Sequence, residues 1–264
     1  MKDSYKAYAK VNIFLKITGT RGNYHEIISR FMRVNNLYDE LSFIPKEDSD
    51  SEEFKIIGNF SCTTKQNTIY KAYTALKLYT SSKALENLMA KCSINVKKEI
   101  PAFAGLGGGS SDAATYLKMC NEILELGLSL EELATIGLKV GADVPFFIYG
   151  YDSANVSGIG EIVEEFTEEQ LEFYIYTPKL EISTPKVYTI YRENFFKPLD
   201  DDMVQKLKKT SSLDILKSMS IDEVNDLYKP AKQEYKELSS YYKDGYYFSG
   251  SGSSFFRVKE KEEI

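Results

Sequence analysis

The chain has 264 residues, 43% of them hydrophobic and 27% charged, with a formal net charge of −6. That length can bury a sizeable core as one large domain or two modest ones, and the composition is ordinary for a soluble globular protein. The acidic balance argues against a general nucleic-acid or membrane-surface binder, because both want a basic face.

Tyr5 to Ile17 is apolar and β-rich and reads as a strand, followed by a turn over Gly19-Thr20-Arg21-Gly22-Asn23. Met32 to Ile44 reads as one or two further strands. They end at the acidic stretch from Lys46 to Glu53, expected to be a solvated loop because like charges repel. Ile69, Ala72, Tyr73, Leu76 and Tyr79 recur at helical spacing within Asn67 to Tyr79. Ser93 to Lys98 alternates as a strand, and glycine is then too frequent for a regular element until Asp112 to Leu126, which reads as a helix. Ser129, with Glu132 three residues on, forms a capping box for a further helix that should stop near Gly141.

In the second half, strands are expected near Phe173 to Thr177 and Tyr246 to Ser249. Helices are expected near Asp202 to Leu207, Asp214 to Ser218 and Pro230 to Tyr242. Strands and helices mixed without βαβ regularity argue for an α+β fold. Glycine and serine cluster between Gly150 and Gly160, which suggests two domains, 1–152 and 153–264. Cys62, Cys92 and Cys120 are scattered and without zinc-ligand spacing, as suits reduced thiols. The start of the chain lacks an apolar h-region, and no run of about eighteen apolar residues occurs. A soluble, cytoplasmic protein with a small-molecule substrate is therefore expected; the oligomeric state is not readable.

The strongest chemical signal is Gly105-Leu106-Gly107-Gly108-Gly109-Ser110-Ser111 running directly into a helix. Glycines let backbone approach a ligand closely, and free N–H groups at a helix start point at an anion with the helix dipole behind them. A triphosphate is the natural guest, since several amides can reach its oxygens together. No lysine follows the last glycine, which excludes a Walker A loop. Gly105-x-Gly107-x-x-Ser110 nearly matches a dinucleotide fingerprint, but Glu131 and Glu132, where the acidic residue should be, sit in a capped helix start. A plain flexible turn is the bland alternative.

Pro101-Ala102-Phe103-Ala104-Gly105-Leu106-Gly107-Gly108-Gly109-Ser110-Ser111-Asp112 resembles the central phosphate loop of the GHMP kinase superfamily, named for galacto-, homoserine, mevalonate and phosphomevalonate kinases. Other stretches agree in the family's order: Ala9-Lys10-Val11-Asn12, the pair Tyr24-His25, Gly141-Ala142-Asp143-Val144-Pro145, Ser183-Thr184-Pro185-Lys186-Val187-Tyr188, and Ser249-Gly250-Ser251-Gly252. The triple glycine and double serine are most similar to the branch whose acceptor is a cytidine-diphosphate-linked sugar alcohol. Departures are a shorter turn before Tyr24, Tyr188 where phenylalanine is common, and Asp112 where asparagine is commoner.

The resemblance implies a two-domain α+β kinase with its active site in an interdomain cleft, using ATP and Mg²⁺. It implies that residues 101–111 hold ATP, with Lys98 near the adenine and Ser110 or Ser111 helping to hold Mg²⁺ or a phosphate oxygen. Asp143 would take the proton of the acceptor hydroxyl and Lys10 would stabilise charge beside it. From the residues alone, Asp143 reads equally as a polar cap and Lys10 as a solvent-facing strand lysine. His25 would recognise cytosine by hydrogen bonding, Tyr24 and Tyr188 would clamp the base, and Asn12, Thr184, Gly250, Ser251 and Gly252 would line the substrate side. With 20 tyrosines in the chain, ordinary core packing is the competing reading for the clamp. A mevalonate-type kinase and a nucleotide-binding protein without catalysis are the rival functions.

Overall fold

The computed structural model describes residues 4–22, 24–47, 54–197 and 199–260. Asn23 of the expected turn and most of the expected acidic loop, residues 48–53, therefore lie outside the described residues. In chain order the strands are β1 Tyr5–Arg21, β2 Tyr24–Pro45, β3 Ile56–Ile57, β4 Cys92–Lys97, β5 Ser153–Gly158, β6 Ile162–Glu165, β7 Phe173–Tyr176, β8 Tyr247–Phe248 and β9 Phe255–Val258. The helices are α1 Thr68–Thr80, α2 Lys83–Lys91, α3 Gly108–Ile123, α4 Leu130–Leu138, α5 Val144–Tyr149, α6 Thr184–Asn194, α7 Asp201–Lys209, α8 Ser212–Ser218, α9 Ile221–Val224, α10 Tyr228–Glu234 and α11 Leu238–Tyr241. The architecture is α+β, as expected. None of the helices among the described residues is long and apolar enough to cross a membrane.

The chain forms two units, but a single cut at 152 does not separate them. The first comprises 1–9, 36–102 and 108–150; the second comprises 10–35, 103–107 and 151–264. The last boundary falls beside Gly150 at the expected glycine cluster. The others cut β1 after Ala9, β2 after Asn35, and the chain around the glycine loop after Ala102 and after Gly107. Lys10 and the first half of the glycine loop thus pack with the later part of the chain, because backbone pairing overrides nearness in sequence.

In the first unit, Glu40–Pro45 of β2 pairs antiparallel with β4, and β3 pairs parallel with β4. Helix α1 starts where Asn67 accepts a hydrogen bond from the Ile69 amide, and its Ile69, Ala72 and Leu76 are buried at the spacing read from the sequence. The Ser129–Glu132 capping box is present and opens α4. Phe54 lies against Tyr70, Tyr73 and Tyr116, so several of the tyrosines serve the core.

In the second unit, Ile27–Met32 of β2 pairs antiparallel with β5, and β5 with β6. A separate sheet has the order β7-β9-β8, antiparallel throughout. Its Phe248 and Phe255 join Leu15, Ile17, Val187 and Tyr228 in one buried cluster. Arg30 is wholly buried: its guanidinium donates to Asn155 and to the Leu207 and Lys208 carbonyls, faces Glu168, and stacks 3.4 Å from the Phe166 ring. Each charged hydrogen bond offsets part of the desolvation that burial imposes.

Candidate active site

Helix α3 begins at Gly108, four residues before the expected Asp112, so Gly108, Gly109, Ser110 and Ser111 form its first turn. Those first-turn amides have no carbonyl one turn earlier within the helix to bind, which leaves them for a ligand or for caps. Glycine weakens a helix interior by about 1 kcal/mol per residue relative to alanine. Here the packing of Ala113, Ala114, Tyr116 and Leu117, all buried, holds the helix instead. The Thr68 hydroxyl donates to the Gly109 carbonyl at 2.6 Å. Ser111 is buried, whereas Ser110 is half-exposed. A Cβ on Gly141 would lie 3.6 Å from the Ser110 hydroxyl, so the backbone leading to Asp143 passes beside that serine.

Asp143 immediately precedes α5 and makes no capping hydrogen bond with its side chain, so the polar-cap reading does not describe it. It is half-buried, on a turn fixed by Pro145 in the first turn of α5.

Lys98 is engaged by two carboxylates of its own unit. Its ammonium is held by Asp39 and, at 2.7 Å, by Asp112, while Asp39 also accepts from the Glu99 and Ile100 amides at 2.6 and 2.8 Å. Two buried carboxylates draw the cation inward, so Lys98 braces the start of α3. Burial pushes the Asp112 carboxyl up to about 7 despite the neighbouring ammonium, and Asp39 adds repulsion. Its Oδ1 is buried without a hydrogen-bond partner. Asp39 carried no signal in the sequence, since it stands beside Glu40 in a strand segment of mixed polarity.

In the second unit the irregular stretch 103–107 is stitched down by backbone and side-chain bonds. The Lys10 amide donates to the Leu106 carbonyl at 3.0 Å, and the Ser254 amide to the Ala104 carbonyl at 3.1 Å. Phe103, Gly105 and Gly107 all have positive φ, at 53°, 71° and 73°. Gly105 is obligatory, since a Cβ there would sit 2.1 Å from the Ser249 carbonyl oxygen. The Lys10 ammonium donates to Asn12 Oδ1 at 2.5 Å and to the Gly105 carbonyl at 3.1 Å, and lies 4.6 Å from the Phe31 ring centre. Lys10 is only 3% exposed, so it is not the solvent-facing strand lysine that β patterning alone allows. Asn12 passes its amide on to Ser29.

The late glycine loop meets the same residues. The Ser249 hydroxyl donates to the Gly105 carbonyl at 2.9 Å, and a Cβ on Gly250 would come 3.3 Å from Asn12 Oδ1. Thr184 opens α6, and its hydroxyl shares a 2.6 Å hydrogen bond with that of Ser251. The structure thus brings together Lys10, Asn12, Gly105, Thr184, Gly250 and Ser251 within one unit.

His25 lies against Tyr188, ring centres 4.9 Å apart and planes at 34°, while Tyr24 is 65% exposed. Burial lowers the His25 pKa, with the Arg192 charge adding to it, so the ring is neutral near pH 7. His25 Nε2 is buried without a hydrogen-bond partner. A neutral imidazole with an unmet nitrogen beside an aromatic face fits recognition of a flat heterocycle rather than acid–base work.

A pattern described as the GHMP kinases N terminal domain matches residues 67–151. The chain is 70% identical over 263 residues to a 4-diphosphocytidyl-2-C-methyl-D-erythritol kinase of Sulfurimonas denitrificans, covering 98% of each chain. It is 42% identical to the kinase of the same name from Campylobacter jejuni subsp. doylei, covering 96% of this chain and 99% of the other. A crystal structure of a 4-(cytidine 5'-diphospho)-2C-methyl-D-erythritol kinase superposes with a TM-score of 0.68 at 26% identity, covering 97% of this chain and 90% of that one. Methanococcus jannaschii mevalonate kinase shares the fold, with a TM-score of 0.57 at 15% identity and coverage of 98% and 91%.

Proposed function

Because the chain belongs to the 4-diphosphocytidyl-2-C-methyl-D-erythritol kinases of the GHMP kinase superfamily, we propose that it moves the γ-phosphoryl group of ATP to the 2-hydroxyl of that cytidine-diphosphate alcohol, a step of non-mevalonate isoprenoid synthesis. The observation that carries the reading is 70% identity across 98% of both chains. The site residues support it independently, since amides, cation, carboxylate and a base-binding pair are all present.

The triphosphate binds the first-turn amides of α3, where the helix dipole favours an anion. The acceptor oxygen attacks the γ-phosphorus, the bond to the β-phosphate oxygen breaks, and ADP leaves. The hydroxyl proton passes to the Asp143 carboxylate, because an alcohol is too weak an acid to ionise unaided. Lys10, oriented by Asn12 and the Gly105 carbonyl, neutralises charge developing on the transferring group. His25 and Tyr188 hold the cytosine, with His25 Nε2 as its hydrogen-bonding atom.

Among the described residues no group of three or more His, Cys, Asp or Glu gathers into a metal cage. Mg²⁺ would therefore arrive on the phosphates, with the half-exposed Ser110 hydroxyl as the protein ligand that best fits. When bound, it supplies charge neutralisation to the phosphate oxygens. The three free, scattered thiols support a cytosolic setting.

Side-by-side phosphorylation assays with 4-diphosphocytidyl-2-C-methyl-D-erythritol and mevalonate test the substrate. Turnover of the cytidine compound alone is expected, and turnover of mevalonate alone overturns the reading. Asp143→Ala should lower kcat by at least about two orders of magnitude. A variant near wild-type turnover at saturating ATP removes Asp143 from the role of base.

A further inference from the structure

Asn225 lies between α9 and α10, is only 1% exposed and is fully engaged. Its side-chain amide donates to the Phe248 carbonyl at 2.8 Å and the Gly250 carbonyl at 2.9 Å, and its Oδ1 accepts from the Leu227 amide at 2.8 Å. The next residue, Asp226, ties the same turn to strand β1. Its amide donates to the Leu15 carbonyl at 3.0 Å, and its carboxylate receives the Ile17 amide at 2.9 Å and the Lys16 ammonium. Leu15 and Asn225 themselves form an isolated parallel bridge.

We propose that Asn225 and Asp226 are positioning residues that lock the late glycine loop in register with strand β1, and so set where Gly250 and Ser251 meet the acceptor alcohol. The inference rests on the kinase reading above. Gly250 has φ of +58°, in a turn closed by the Gly252 amide donating to the Ser249 carbonyl at 2.9 Å. Asn225 anchors that turn with two charge-neutral N–H donors, one to the Phe248 carbonyl before it and one to the Gly250 carbonyl within it, and only an amide offers both from one buried side chain. Strand β1 carries Lys10 and Asn12, and Ser249 bonds the Gly105 carbonyl, so a slip of this clamp misplaces the loop relative to the substrate-facing residues. Misplacement of about 1 Å can cost up to about a hundredfold in rate.

The test is steady-state kinetics on Asn225→Ala, which keeps no donor, and Asn225→Ser, which keeps one. The expected result is a KM for the cytidine alcohol raised at least about tenfold in the alanine variant and less in the serine variant, with KM for ATP within about twofold. A merely structural role lowers the active fraction and leaves both KM values alone; that outcome overturns the proposal. Should neither variant fold, the Asn225 side-chain amide signals of isotopically labelled wild-type enzyme give the reading. They should shift on saturation with the alcohol, and unshifted signals overturn the clamp. A wild-type chain inert on the alcohol instead fails the kinase reading, and the inference falls with it.

Discussion

Around Gly108 the chain leaves an irregular loop and enters a 16-residue helix, whereas around Gly250 it turns from the short strand Tyr247–Phe248 toward Phe255–Val258. In the first segment Gly108 and Gly109 lie in helical backbone, and their contribution is uncovered amides at a helix start. In the second, Gly250 and Gly252 both have positive φ, and a Cβ on Gly252 would sit 2.1 Å from the Phe248 ring. Gly108 and Gly109 take their backbone shape from the helix they open, whereas the Gly250 loop is held by side chains brought from afar, Asn225 and Thr184. Glycine-richness alone therefore does not say how a loop is held.

The sharpest way to break this contrast is at Gly105, where the first segment touches the second. Gly105→Ala combines positive φ with a Cβ 2.1 Å from a backbone oxygen, so it should cost about 2–4 kcal/mol, read as a lower denaturation midpoint, together with most of the activity. A stable, active variant would mean that the two segments are not packed as described.

Asp112 tests whether the brace under the first segment is ionic. Its carboxyl has an ordinary pKa of 3.8 and one of about 7 in the fold, so between those values the native state holds a proton that the unfolded chain has lost. Stability from this group is present at low pH and declines as pH rises toward about 7. Asp112→Asn cannot ionise, so its Tm relative to wild type should climb from pH 5 to pH 7 and then level off. A difference that shrinks with pH would mean that attraction to Lys98 outweighs burial.

The smallest effect is expected at Gly109, where a Cβ would meet only the Thr68 side chain, at 3.3 Å. Gly109→Ala gains helix propensity while crowding a hydroxyl, so stability should stay within about 1 kcal/mol of wild type. A loss comparable to that of Gly105→Ala would erase the distinction between helical and left-handed glycines.

Much of the first unit was legible. The helical spacing from Ile69 announces α1, and the Ser129 cap announces α4 because a cap is a bond between residues two or three apart. Helix α5, Val-Pro-Phe-Phe-Ile-Tyr, is not legible in the sequence because a short apolar run carries no period that separates helix from strand. The expected turn at Gly19 is strand as far as Arg21, and Met32 to Ile44 is the end of one 22-residue strand, since sheet pairing extends elements past local breakers. The single helix expected over Pro230 to Tyr242 is two pieces, α10 and α11, separated at Tyr235, whose hydroxyl accepts from the Ser183 amide.

The sequence by itself determined the α+β class and the glycine run that leads into a helix, and it singled out Lys10, Asp143, His25 and Tyr188 as candidates for chemistry. Those features depend on neighbours in the chain or on motif spacing. Only the tertiary structure decided that Lys98 is occupied by Asp39 and Asp112, that His25 rather than Tyr24 lies on Tyr188, and that Asn225 holds the Gly250 loop. Each of those is a contact across a long stretch of chain, and side-chain hydrogen bonds of that kind leave no periodic trace in the order of residues.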